Sequence, residues 1–214
     1  MRLSMPVLTI TSRKGGCGKT MLAAVLAGSL AEQGVDVALL DSDPNGGAHR
    51  WATQTHAGRP IRVYAEADAE RLAELLPTLA AQHAALIVDT AGFGNQAAAV
   101  AIAGADLVLV PVTPGEGDLV EAQRTVAFVN GLSRSTRRTI PVKVVANRIR
   151  RGTSISRHVL AELDTLELPH LATAMSEAVA YAEVGFTGTI PAEGAPAKEI
   201  AALLAEVRAA GGIP

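Results

Sequence analysis

Residues 14–20 read Lys14-Gly15-Gly16-Cys17-Gly18-Lys19-Thr20. These residue types, in this order, can hold the phosphates of a nucleotide. Glycines at 15, 16 and 18 let the backbone come close and take φ > 0, so successive N–H groups can point at phosphate oxygens. Lys19 sets a point charge against the β- and γ-phosphates. Thr20 offers a hydroxyl to Mg²⁺, which prefers hard oxygen ligands. The ordinary phosphate loop, GxxxxGK[ST], wants glycine at position 13. This chain has Arg13 there and carries Lys14 next to it, a lysine the cradle itself does not need. Cys17 reads as the occupant of a small-residue slot rather than as a nucleophile.

Two acidic segments follow. Asp41-Ser42-Asp43-Pro44 ends the apolar run Val37 to Leu40, and Asp89-Thr90-Ala91-Gly92 ends Leu86-Ile87-Val88. A lone aspartate after a strand is ordinarily a cap or turn residue. Three carboxylates at such ends, in a chain with a phosphate loop, read as a set that handles Mg²⁺ and water. That requires all three motifs to meet, and the carboxyl edge of a parallel sheet is where they would.

The elements that must bring them there are legible as patterns. Strands are expected at 6–11, 36–41, 61–64, 85–89, 106–111 and 142–147, with a seventh at 170–174. Helical patterns fill 19–33, 45–55, 68–82, 95–103, 116–132, 153–164, 176–184 and 194–209. Runs such as Leu107-Val108-Leu109-Val110 are apolar throughout, as strands buried on both faces must be. The expected architecture is a doubly wound α/β fold. It has a mostly parallel sheet of about seven strands and helices on both faces, in one domain over 1–214.

Together these residues resemble the ParA/MinD family of deviant Walker A ATPases, which have the P-loop NTPase fold. Lys14–Thr20 match its Walker A, Asp41–Pro44 its A′ motif and Asp89–Gly92 its Walker B. Trp51 after A′, Pro111-Val112-Thr113-Pro114 with Asp118, and Ala180-Tyr181-Ala182-Glu183 with Gly188-Thr189-Ile190 resemble the small ParF-like partition members.

The resemblance implies ATP and Mg²⁺ as ligands and an ATP-dependent homodimer. In it Lys14 crosses to the partner's phosphates, much as an arginine finger does. Lys14, Lys19 and Asp43 would then be catalytic, with Asp43 positioning the attacking water. Gly15 to Met21 and Asn147 would bind nucleotide, and Thr20, Asp41 and Asp89 would surround the metal. Met21 departs from the family's second threonine and supplies no hydroxyl. Slow ATP hydrolysis, stimulated by a centromere-binding partner, would serve segregation of plasmid or chromosomal DNA.

The chain has a net charge of −2, which hides an asymmetry. From 122 to 161 there is no Asp or Glu, yet nine Lys or Arg, leaving ten basic and twenty-one acidic residues elsewhere. Such a stretch suggests a polyanion partner. With the resemblance it points to non-specific DNA, and Arg134, Arg137, Arg138, Arg150, Arg151 and Arg157 are the expected contacts. Thirteen residues precede Lys14, so operator reading by an amino-terminal helix-turn-helix is not expected.

One cysteine argues against a disulfide framework and against the cluster ligands of the nitrogenase iron-protein branch. Asn147-Arg148-Ile149-Arg150 stands where a GTPase carries Asn-Lys-x-Asp, which favours adenine. There is no apolar run long enough for a membrane span. The balanced charges near the C-terminus do not suit a MinD-like membrane helix. A cytoplasmic, nucleoid-associated protein is expected. The same residues also suit an ATPase that positions a protein cargo, such as a chemoreceptor cluster, carboxysome or cellulose synthase complex.

Overall fold

The computed structural model describes residues 5–92 and 95–214, with only the backbone at Glu116. In chain order the elements are β1 (Val7–Ile10), α1 (Lys19–Glu32), β2 (Val37–Asp41), α2 (Gly47–Arg50), a π-helical turn (Trp51–Thr55), β3 (Arg62–Ala65) and α3 (Ala69–Gln82). Then come β4 (Ala85–Asp89), α4 (Gln96–Gly104), β5 (Leu107–Val112), α5 (Glu116–Thr136) and β6 (Val142–Ala146). Helices α6 (Ser154–Thr165), α7 (Val179–Thr187) and α8 (Gly194–Ala209) complete the series.

The six strands form one parallel sheet in the order β3-β2-β4-β1-β5-β6. Every residue of β1, β2, β4 and β5 is buried, as their unbroken apolar runs demand. Alternate side chains serve opposite faces. Leu8, Ile10, Leu39, Ile87 and Leu109 pack with α1, α7 and α8. On the other face, Val7, Ala38, Leu40 and Leu86 meet α3 and α4, while Val108, Val110 and Val144 meet α5 and α6. Helix α1 is buried on most of its circumference, which explains its lack of a polar face. A Cβ at Gly28 would lie 2.6 Å from Ile190 Cγ1, so small residues there are a packing requirement.

Register decides where the motifs go. Asp89 pairs with Ile10 on one side and Asp41 on the other, so the three strands end level. The loops that leave them share one sheet edge.

Three elements differ from expectation. Residues 170–174 form no seventh strand: their backbone link to β6 is an isolated bridge of His170 to Val144, with Leu171 N donating to Val144 O. The cause is Glu206 of α8: its carboxylate accepts from Ala172 N and Thr173 N, both at 2.7 Å, and draws them off the ladder. The helix expected over 45–55 splits into α2 and the π-turn. The His56 N–H donates to Trp51 O, five residues back, while the Trp51 indole donates to Val184 O at 2.8 Å. A π-turn of this kind often marks a functional site. Finally, α7 starts at Val179 rather than 176, because Ser176 bridges Ile149 and Glu177 N donates to Ile149 O, while Ser176 N donates to Glu199.

Candidate nucleotide site

The phosphate loop joins β1 to α1. Gly16 has φ 78° and Gly18 φ 95°, and Gly18 caps α1 with no side-chain bond. The first-turn N–H groups of α1 are therefore open to an anion. A Cβ at Gly18 would fall 2.3 Å from Asn147 Nδ2, so this glycine is fixed by contact as well as by dihedral. Asn147 is fully buried, and its amide donates to Cys17 O at 2.8 Å. Its role in this structure is to hold the loop from behind. Its Oδ1 is buried without a partner. The Cys17 thiol is buried and donates to Lys14 O, in keeping with a packing role.

A cleft of about 970 Å³ opens along this loop. Gly15, Gly16, Gly18, Lys19, Thr20, Met21 and Asp43 line it on one side; Asn147, Arg148, Ser176, Glu177 and Tyr181 line it on another. Lys19 is buried, and its ammonium donates to Lys14 O at 3.3 Å.

The Thr20 hydroxyl donates to Asp89 Oδ2 at 2.6 Å, and Asp89 Oδ1 is buried without a partner. Burial pushes the Asp89 carboxyl up to about 7; the Thr20 bond and Lys19 charge oppose this, and Asp41 and Asp43 reinforce it. An orphaned carboxylate oxygen beside a hydroxyl is the donor chemistry Mg²⁺ takes, so Thr20 and Asp89 fit the metal. Asp41 sits differently. Its Oδ1 accepts from Asp43 N at 2.9 Å and its Oδ2 from His49 N at 2.8 Å, so it organises the A′ turn. Asp43 stands at the cleft, its Oδ1 accepting from Asn45 N and Nδ2 at 2.9 Å each.

Lys14 leaves its own cradle. Its half-exposed side chain reaches across to the buried Asp118 of α5 and donates to Oδ1, while the Thr113 hydroxyl donates to Oδ2. Arg13, at the position of the usual glycine, also faces α5: its guanidinium pairs with Glu121 at 3.0 Å. Thr113 and Asp118 fall in one segment of the family resemblance, but nothing in the sequence shows that Asp118 meets Lys14, 104 residues away.

The basic stretch is divided. Arg134, Arg137 and Arg138 lie at the far end of α5, about 30 Å long, and so at the sheet edge opposite the phosphate loop. Arg150 and Arg151 follow β6 at the loop edge, and Arg157 is on α6. Arg138 pairs with Asp106 at 2.7 Å, Arg150 with Glu177 and Arg151 with Glu199 at 2.8 Å. The missing acids of 122–161 are supplied by other segments. Arg134, Arg137 and Arg157 are exposed and make no ion pair among the described residues.

The geometry can be set beside known proteins. The family model described as VirC1 protein matches residues 5–201. The chain belongs to the VirC1 family. It is 31% identical over 197 residues to protein VirC1 of Rhizobium radiobacter, covering 87% of this chain and 83% of that one. It is 36% identical over 110 residues to protein ParA of the same organism, and this match spans half of each chain. The ATP complex of an McdA variant from Cyanothece shares the fold, with a TM-score of 0.76 at 18% identity over 99% of this chain and 98% of that one. The VirC1-family chain is thus of the ParA/MinD type, as its motifs imply.

Proposed function

We propose that this protein is an ATPase that binds ATP with Mg²⁺ in the cleft, dimerises on it and hydrolyses it slowly until a partner protein stimulates the reaction. One observation carries the reading: Lys14 is turned out of its own phosphate cradle and stands half-exposed beside the cleft, while Lys19, Thr20 and Asp89 complete that cradle without it. A lysine so placed suits a second subunit's phosphates, where a cation lowers the barrier to phosphoryl transfer. Mg²⁺ on Thr20 and Asp89 would neutralise charge on the same phosphates. Asp43 orients the attacking water, and Asp41 holds Asp43 in place through its backbone amide.

The work of such a dimer is segregation of plasmid or chromosomal DNA, held non-specifically through phosphates by Arg134, Arg137 and Arg157 in a cytoplasmic, nucleoid-associated state. The resemblance of the motifs to ParA-type partition ATPases and the match to protein ParA support this reading. The cargo reading, a protein assembly positioned by the same ATPase, gains from the ion pairs of Arg138, Arg150 and Arg151, which remove half of the expected DNA contacts.

Sedimentation with a non-hydrolysable ATP analogue tests the core of the proposal. Wild-type protein should dimerise. Lys14→Ala should bind the analogue and stay monomeric, and Lys19→Ala should lose the triphosphate. Dimers of Lys14→Ala would overturn it.

A further inference from the structure

Glu199 of α8 lies outside the phosphate-loop and acidic motifs, yet it is a buried charge that accepts four hydrogen bonds from three residues. Its exposure is 5%. Oε1 accepts from Arg151 Nη2 at 2.8 Å. Oε2 accepts from Ser176 N, Ser176 Oγ and Tyr181 OH, each at 2.9 Å. Burial pushes this carboxyl up, but the Ser176 and Tyr181 bonds and the Arg151 charge outweigh it and hold it below the ordinary carboxylate range. It is an anion in place.

Its partners belong to two segments that reach the cleft. Arg151 follows Asn147 and Arg148, and both of those line the cleft. Ser176 and Tyr181 line it directly. One carboxylate thus ties the segment after β6 to the segment before α7. These walls lie outside the Gly15–Thr20 cradle. The Ser176 backbone N–H is held by this charged acceptor beside its bridge to Ile149, and Ala178 is extended, so this stretch of wall stands outside α7.

We propose that Glu199 is a positioning residue for the nucleoside end of the cleft: through Arg151, Ser176 and Tyr181 it sets the wall against which the base and sugar bind. The proposal rests on the cleft being the nucleotide site. It also reassigns Arg151. Although 71% of its side chain is exposed, its guanidinium serves the cleft through Glu199 rather than a phosphate backbone. A glutamate at 151 would face a buried carboxylate, so an Arg151→Glu test of DNA binding would disturb nucleotide binding too.

The test is calorimetric titration of the full chain with two probes in the presence of Mg²⁺: ATP, and inorganic tripolyphosphate, which offers the phosphates alone. Glu199→Gln keeps the shape but removes the charge and turns an amide N–H₂ toward groups that donate to the carboxylate, of which the Arg151 guanidinium and Ser176 N–H cannot accept. It should weaken ATP about tenfold and leave tripolyphosphate unchanged. Tyr181→Phe removes one of the four bonds and Arg151→Gln the cation. Each should show the same selective loss, a few-fold in size, and keep the proposal testable if Glu199→Gln fails to fold. Unchanged ATP affinity in these variants overturns it. So does equal weakening of both probes, which marks a merely structural role. A wild-type protein that binds neither probe would overturn the nucleotide reading itself.

Discussion

The contact between Lys14 and Asp118 has a measurable consequence for self-association. If Lys14 acts on a partner's phosphates, each subunit must first give up its bond to Asp118. Asp118 is 8% exposed while Lys14 is 50% exposed, so one side of the pair stays in solvent. Partly exposed pairs of this kind are worth up to about 1 kcal/mol. Two such contacts open per dimer, which places the cost at up to about 2 kcal/mol, or at most roughly thirtyfold in the dimer dissociation constant. Asp118→Asn is the cleanest perturbation. It removes the charge that holds Lys14 and leaves an oxygen to accept from the Thr113 hydroxyl. The helix N-terminus nearby loses a favourable anion, a smaller effect of about 0.5 kcal/mol on folding. Sedimentation equilibrium with a non-hydrolysable ATP analogue should show the variant dimerising more tightly than wild type, by up to roughly thirtyfold. Dimerisation that is unchanged or weaker refutes the reasoning. It would mean that Asp118 acts in the assembled site and does not restrain Lys14 in the monomer.

Gly188→Ala should cost more than about 3 kcal/mol in urea unfolding, because the new Cβ would lie 1.8 Å from Thr55 O at φ 69° and neither backbone can rotate away; a loss under 1 kcal/mol would contradict the packing of the π-turn on α7. The stability that Glu199 adds has a defined pH range. Its folded pKa lies below the ordinary 4.5, so its contribution is complete above about pH 4.5 and is lost as pH falls through the folded value. The stability gap between wild type and Glu199→Gln should hold from pH 7 to about 5 and close below that, and a gap that widens on acidification would reverse the sign. For DNA, replacing Arg134 and Arg137 with glutamine should lower the log–log salt slope for random duplex by about 2 without touching ATP affinity. An unchanged slope would favour a protein cargo.

The backbone of the Lys14–Thr20 loop is legible in the sequence because its glycine pattern is local. Glycines at 16 and 18 take the left-handed backbone the pattern requires, and Thr20 follows on the same turn. The sheet is legible too, since strands buried on both faces need unbroken apolar runs, and six of the seven expected strands form. What failed was decided by partners distant along the chain. No local pattern shows that Glu206 draws 172–173 off a seventh strand, that Trp51 bonds to Val184 and turns a helix into a π-turn, or that Arg138, Arg150 and Arg151 are paired with Asp106, Glu177 and Glu199. A window of forty residues without an acid reads as a basic surface, because sequence separation hides which carboxylates fold against it. The residue types and the strand pattern fix the cradle. Only the tertiary packing decides which charges remain for a partner, because ion pairs and buried carboxylates form between segments that meet in space alone.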